Sequence, residues 1–211
     1  MANNQQYTIA AKSTDAAGNL ENIVVADTFI YDIEIPVSAV LLEDSLYNDA
    51  NWSIENTISG SSSDSISGSS TVEILIKDVI ENTWWNGILW SQEPIWLNAI
   101  GTNSWSYSLD NENLMDGALY LIYSRVQDYA GNVQVDSGFA SFTYDISGPS
   151  KGLVKDGLDS LDDNWSNSLS TLSGTWTGFV DSTTELTEYL VALGSDSGGF
   201  DVVDWVSVNL D

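Results

Sequence analysis

The sequence predicts an all-β fold built from tandem β-sandwich modules, one complete and two partial. Three observations carry that prediction. The chain repeats itself at an offset of 113 residues, its apolar residues alternate with a period of two, and clusters of Gly, Ser, Asn and Asp punctuate the alternating stretches.

The repeat comes first. Residues 7–19 read YTIAAKSTDAAGN and residues 120–132 read YLIYSRVQDYAGN, 113 positions apart. The register continues through Phe29 and Phe142, Tyr31 and Tyr144, Asp32 and Asp145, and Pro36 and Pro149. It reaches the next unit at Asn51-Trp52-Ser53 and Asn164-Trp165-Ser166, and one position later Ser59-Gly60 matches Ser173-Gly174. A period of this size is too long for a solenoid repeat of roughly 20–50 residues and suits tandem sandwiches of about 100 residues each. The expected organisation is the back half of a module at 1–36, a whole module at 37–148 and the front half of another at 149–211. Met1 falls opposite Leu114, inside a unit, which leads us to expect that the chain is cut from a longer one with its export signal upstream.

The strands follow from alternation. Residues 72–77 carry apolar side chains on both faces, with Glu73 and Lys77 marking the wetter one. Tyr120, Ile122, Ser124 and Val126 share a face, as do Phe139, Ser141 and Thr143 on the next strand. Tyr189, Val191 and Leu193 line one face of a strand near the C-terminus. Residues 59–64 and 194–199 read as turns or loops. No stretch sustains a helical period. The Asp-x-Ala-Gly-Asn segments at Asp15 and Asp128 lie between alternating stretches. Gly18 and Gly131 supply positive φ there, so each copy reads as a hairpin of the last two strands of a module. Tyr7 and Tyr120 are expected to face the core or a sandwich corner.

Composition narrows the function. Asp and Glu total 31 against 5 Lys plus Arg, a formal charge of −26. Such a chain repels nucleic acid and anionic membranes, and it attracts divalent cations. It holds no His and no Cys, which removes Ser-His-Asp and Cys-His catalysis, imidazole metal sites and disulfide staples. No apolar run approaches the roughly 18 residues of a membrane span. Equivalent surface residues recurring in tandem units argue against a single active site, so no enzyme is expected.

The segments YTIAAKSTDAAGN…FIYDIEIP and MDGALYLIYSRVQDYAGN…FTYDISGP resemble the C-terminal halves of bacterial immunoglobulin-like repeats. Such repeats occur in giant cell-surface adhesins of the biofilm-associated type. ISGSSSDSISGSSTVEILIKD resembles their front half. The segment LSGTWTGFVDSTTELTEYLVALGSDSGGFDVVDWVSV looks like the front half of a fibronectin-III-like module, with Trp176 and Tyr189 as core aromatics. The resemblance covers nearly the whole chain. It implies immunoglobulin-like sandwiches, export to the bacterial cell surface and a role as stalk, spacer or adhesive segment. It also implies calcium held at module junctions, with Asp15, Asp32, Asp128 and Asp145 as candidate ligands. Beside that stands the plainer reading, in which Asp15 and Asp128 brace their own turns and Asp32 and Asp145 begin linkers. No other cofactor is required.

Two departures from a minimal module stand out. Residues 82–100 form an insertion-like stretch rich in Trp, and the third unit drifts from the second after Gly174. Trp84, Trp85, Trp90 and Trp96, with Trp105, either fill a core or form a platform for sugar rings, which makes a carbohydrate-binding module the alternative function. Adjacent Trp84 and Trp85 in a strand would point to opposite faces, so at most one of them is core. The Asn-Trp-Ser triplets fit a glycosylation acceptor or, in a bacterial protein, a strand-edge motif with a structural Trp. The expected partners are neighbouring modules of the same chain, with surface glycans or other surface proteins. Residues 149–211 and 1–36 are the front and back of one module, which also raises head-to-tail self-association.

Overall fold

The computed structural model describes all residues except 23, 44, 158–164, 166–167, 169–170 and 209–211. The second Asn-Trp-Ser triplet therefore lies largely outside the described residues. Elements run in the order β1 (Gln5–Ala11), β2 (Val25–Tyr31), β3 (Val37–Leu41), β4 (Leu46–Tyr47), α1 (Asp49–Glu55), β5 (Thr57–Ser63), β6 (Ser69–Asp78), β7 (Thr83–Trp85), β8 (Trp90–Ser91), β9 (Leu97–Asn98), β10 (Ile100–Gly101) and β11 (Ser104–Ser108). A single 3-10 turn (Asn111–Asn113) precedes β12 (Ala118–Asp128) and β13 (Gly138–Tyr144). Then come β14 (Leu153–Asp156), β15 (Gly174–Thr177), β16 (Tyr189–Leu193) and β17 (Val203–Val208). The chain divides into two compact units, Met1–Tyr144 and Asp145–Asp211.

The first unit holds a β-sandwich. One sheet runs β10-β11-β5-β3, and the other runs β4-β13-β12-β6-β7-β8, with β9 also pairing β6. Along β12 the burial alternates without a break, from Ala118 through Tyr120, Ile122, Ser124 and Val126 to Asp128, all facing inward. Ile74 and Ile76 of β6, Phe142 and Tyr144 of β13, and Ile58 and Trp105 of the facing sheet complete the core. Each such side chain, once fully buried, contributes about 1.5–3 kcal/mol, which β-branched and aromatic residues on a pleated surface supply at little cost in rotamer freedom.

The hairpin β1–β2 repeats β12–β13 position for position. Gln5 opposes Tyr31 and Tyr7 opposes Phe29, as Ala118 opposes Tyr144 and Tyr120 opposes Phe142. The turns agree too. The Asp15 amide donates to the Asn19 carbonyl at 3.0 Å, and the Asp128 amide donates to the Asn132 carbonyl at 3.0 Å. Gly18 and Gly131 sit at φ 90° and 95°, where any side chain would be strained. The tyrosine corner also recurs, because the Ala2 amide donates to the Tyr7 hydroxyl at 2.6 Å and the Met115 amide to the Tyr120 hydroxyl at 2.7 Å.

Two readings of the sequence need correcting. Asn51, Trp52 and Ser53 do not lie at a strand edge. They form the middle of α1, which is capped at Asn48, whose side chain accepts from the Asn51 amide. Trp52 is nonetheless structural: it is buried against Phe142, and its indole N–H donates to the Leu109 carbonyl at 2.8 Å. A helix of 7 residues is too short to show a periodicity. Residues 59–63 are likewise not a turn. They are β5, a strand of small residues between β3 and β11, where Gly60 leaves room for Trp105.

The second unit consists, among its described residues, of two antiparallel pairs, β14–β15 and β16–β17. Trp176 and Phe179 both meet Tyr189 edge to face, with ring centroids 5.7 Å apart in each case.

Candidate metal centre

Three aspartates converge in the first unit. Carboxylate oxygens of Asp32, Asp64 and Asp128 lie within 4.8 Å of one another. Each arrives from a different element. Asp32 follows β2. Asp64 opens the loop from β5 to β6, where its Oδ1 accepts from the amides of Ile66, Ser67 and Gly68 at 3.0, 2.8 and 2.9 Å. Asp128 ends β12, where its Oδ1 accepts from the Asn132 amide and its Oδ2 from the Asn132 side chain, both at 2.8 Å.

The loops are laced together. The Ser67 amide donates to Asp32 Oδ2 at 3.1 Å, the Asn132 side chain donates to the Asp32 carbonyl at 3.3 Å, and the Tyr129 amide donates to the Gly68 carbonyl at 3.1 Å. Asp32 and Asp128 are buried and Asp64 is half-buried. Desolvation pushes the Asp64 carboxyl up, yet the amides of Gly68, Ile66 and Ser67 together outweigh it and hold the group below the ordinary carboxylate range.

The donor set suits a hard divalent cation. Three carboxylates offer oxygens only, and a calcium ion takes 6–8 of them at roughly 2.3–2.6 Å. Among the described residues Asp64 Oδ2 and Ser67 Oγ are buried and meet no partner at good hydrogen-bond geometry, although the Ser67 hydroxyl lies close enough to the Asp64 carboxyl to help lower its pKa. A buried carboxylate oxygen left without a donor is costly, and a cation would satisfy it.

Of the four candidate ligands, Asp32 and Asp128 come together here. Asp15 does not join them; it holds its own turn at the tip of β1–β2, accepting from the Asn19 side chain and the Ala17 amide. The Asn19 side chain, followed by backbone amides, keeps the Asp15 carboxyl below its usual value. Asp145 belongs to the second unit, where Thr184 Oγ1 donates to its Oδ2 at 2.9 Å. Asp64 escaped the sequence reading because its serine-rich surroundings read only as a loop. The usable signal was an Asp followed by Ser, Gly and a strand, the residue pattern of a side chain that caps successive amides.

The tryptophans divide between two surfaces. Trp85 and Trp90 belong to the core and leave the candidate platform. Trp85 donates to the Tyr107 hydroxyl at 2.9 Å, and Trp90 donates to the Asn113 carbonyl at 2.8 Å while packing on Tyr120. Trp84 points to the other side, with Lys77 Nζ 5.2 Å from its ring centroid and Tyr123 6.5 Å away. Phe139 continues that row 5.4 Å from Tyr123. Trp96 lies under the Arg125 guanidinium at 4.3 Å, and Arg125 in turn pairs with Glu73 at 2.7 Å.

No family model matches the chain, and no curated protein matches it. A solved structure that resembles it is a Ca2+-stabilized adhesin that helps an Antarctic bacterium reach out and bind ice. The match has 15% identity and a TM-score of 0.33, and covers 82% of this chain and 40% of that one.

Proposed function

We propose that the chain is a structural and adhesive repeat segment, a stalk or spacer, of a large exported bacterial surface protein, and that calcium stiffens its module junctions. One observation carries the reading. Asp32 follows the hairpin of one repeat, while Asp64 and Asp128 come from two loops of the next, and the three carboxylates meet. An ion held there ties the end of one repeat to the start of the following one. Binding to the folded state alone stabilises that state by mass action. The acidic, cysteine-free composition fits such use, because cations replace covalent staples. On this reading the protein is no enzyme, its location is extracellular, and its immediate partners are neighbouring modules.

The test is a thermal melt of the 211-residue chain with calcium and with chelator. A higher midpoint in calcium, saturable and absent in Asp64→Asn, supports the reading, whereas identical melts refute the ion site.

A second reading, glycan binding, draws on the outward row of Trp84, Tyr123 and Phe139 beside Lys77 and Arg125. Rings presented edge by edge on a sheet face offer stacking surface for sugars. Quenching of Trp fluorescence by a glycan panel in wild type but not in Trp84→Ala supports it. Unchanged emission across a broad panel removes it.

A further inference from the structure

The outer face of the larger sheet carries more than a row of rings. Residues 37–144 hold 14 Asp plus Glu and only two cations, Lys77 and Arg125. Both cations point outward on that face. Ile74 and Ile76 of β6 and Ile122 and Val126 of β12 point into the core, and side chains alternate along a strand. An acidic module thus sets all of its positive charge beside its outward aromatic row.

The packing holds this face in place. Leu75 also points outward, opposite Tyr123, yet it is only 8% exposed. The long side chains around it therefore lie down across the sheet instead of reaching into water. Lys77 Nζ sits 5.2 Å from the Trp84 ring centroid, and the Arg125 guanidinium sits 4.3 Å from that of Trp96. Arg125 gives only Nε to Glu73, at 2.7 Å, and its side chain is 34% exposed. Among the described residues its two terminal nitrogens meet no hydrogen-bond partner, and Lys77 meets no ion-pair partner. Those two nitrogens form the end of the guanidinium fork that grips a carboxylate through parallel bonds.

The rings set the shape of what lies on them. Tyr123 stands 6.5 Å from Trp84 and 5.4 Å from Phe139, spacings close to the length of a sugar ring. Their planes are tilted by 43° and 52°. Successive sugars can meet them only if the chain twists from one residue to the next, so the flat ribbon of a crystalline polysaccharide does not fit.

We infer that this face takes a twisted, soluble glycan that bears carboxylates, a chain of uronic acids. Its rings lie on Tyr123 and Phe139 and its carboxylates meet Lys77 and Arg125. The inference deepens the glycan reading given above and rests on it. The chain's charge of −26 does not forbid it. At physiological salt, exposed charges more than about 8 Å apart are largely screened, so the nearby cations decide. A cation already held against a ring also has less water to shed when a carboxylate arrives.

The test uses the 211-residue chain in chelator, so that calcium cannot bridge the sugar to the carboxylate cluster. Oligogalacturonate and oligomannuronate are titrated calorimetrically, each beside its carboxyl-reduced, neutral form. The acid forms are expected to bind about tenfold more tightly than the neutral ones. That preference vanishes when Lys77→Met and Arg125→Gln are combined. Arg125→Lys, which keeps the charge and loses the fork, retains part of it, and Tyr123→Ala weakens both forms together. The comparison of acid with neutral form on wild type needs no variant to fold. Neutral forms that bind as tightly as the acids, or a preference that survives the double substitution, overturn the inference and leave the glycan reading standing. The same holds if the acids do not bind while a neutral glycan of a broad panel quenches Trp fluorescence. Silence from the acids and the panel alike overturns both.

Discussion

Replacing Asp64 by Asn separates the metal reading from a merely structural role for the carboxylate cluster, because only the metal reading makes a calcium shift depend on that residue. Without an ion, desolvation pushes the Asp64 carboxyl up, yet the amides it caps hold it below its ordinary range, so its charged form stabilises the fold. Asn at position 64 keeps an oxygen for Ile66, Ser67 and Gly68 and loses the charge assistance on three amide bonds, about 1 kcal/mol each. Relief of repulsion with Asp32 and Asp128, whose oxygens lie within 4.8 Å, offsets part of that loss. Asp64→Asn in chelator should therefore melt modestly below wild type. In calcium the gap widens. At a hundredfold excess over its dissociation constant an ion stabilises the folded state by about 2.7 kcal/mol, which for a unit near 150 residues raises the midpoint by roughly 10 °C. Wild type should show that shift and the variant should not. Differential scanning calorimetry in both buffers reads both effects. If the variant keeps the calcium shift, the cluster is a hydrogen-bonding hub and the argument for an ion fails.

Further expectations test the fold around this centre. Gly60→Ala places a methyl group into Trp105 and the Ala39 carbonyl, so the urea midpoint should fall by the equivalent of about 1–3 kcal/mol or more with an unchanged slope. Trp85→Ala should cost about 3–5 kcal/mol because it empties the core, whereas Trp84→Ala on the outer face should cost far less by the same urea titration. Tyr120→Phe leaves the Met115 amide without its acceptor inside the module and should cost about 1–3 kcal/mol; Tyr7→Phe, which removes the same bond in the exposed hairpin, should leave the global melt nearly unchanged. Burial, with the Asp49 carboxylate behind it, pushes the Tyr144 hydroxyl from 10.0 up to about 12. A folded value above the unfolded one means that this contribution is whole below pH 10 and lost as pH climbs toward 12. The depressed Asp64 carboxyl acts at the other end, contributing above the ordinary carboxylate range and failing as pH falls through its folded value. Circular-dichroism melts across both limbs, repeated with Tyr144→Phe, check the assignment.

The all-β architecture was legible because alternation is a local property. Tyr120, Ile122, Ser124 and Val126 share a face wherever the strand lies, and Gly18 and Gly131 mark turns in whichever module holds them. The helix α1 was not legible: one short turn is set by the Asn48 cap and by Trp52 reaching Phe142, a contact across 90 residues of sequence. Serine-rich β5 was missed for a related reason, since small polar residues read as loop until a neighbour such as Trp105 needs the space above them. At the candidate centre, the turn aspartate Asp128 and the linker aspartate Asp32 were named because the repeat marked them. Asp64 lacks a counterpart at the 113-residue offset. Position 177, at that offset, is Thr, so the repeat could not mark it. The division of the tryptophans also needed tertiary structure, for only sheet pairing decides that Trp85 faces Tyr107 while Trp84 faces Lys77.

Two copies of one hairpin, identical in register and turn, lie in different surroundings, and that contrast bears on how the chain is used. The local code of Asp, Gly and alternating apolar residues suffices to pair β1 with β2, as it pairs β12 with β13. It does not suffice to bury them, because an isolated two-stranded ribbon is marginal in water and gains stability only from what covers it. β12–β13 takes its core from β6 and the facing sheet, and the carboxylate cluster found among the described residues draws Asp32 from the end of one repeat and Asp64 and Asp128 from the next. A joint of that kind concentrates negative charge, which a bound cation would relieve. On the proposed reading, stiffness is then graded by the calcium around the chain, joint by joint, in a protein without a cysteine to set it covalently.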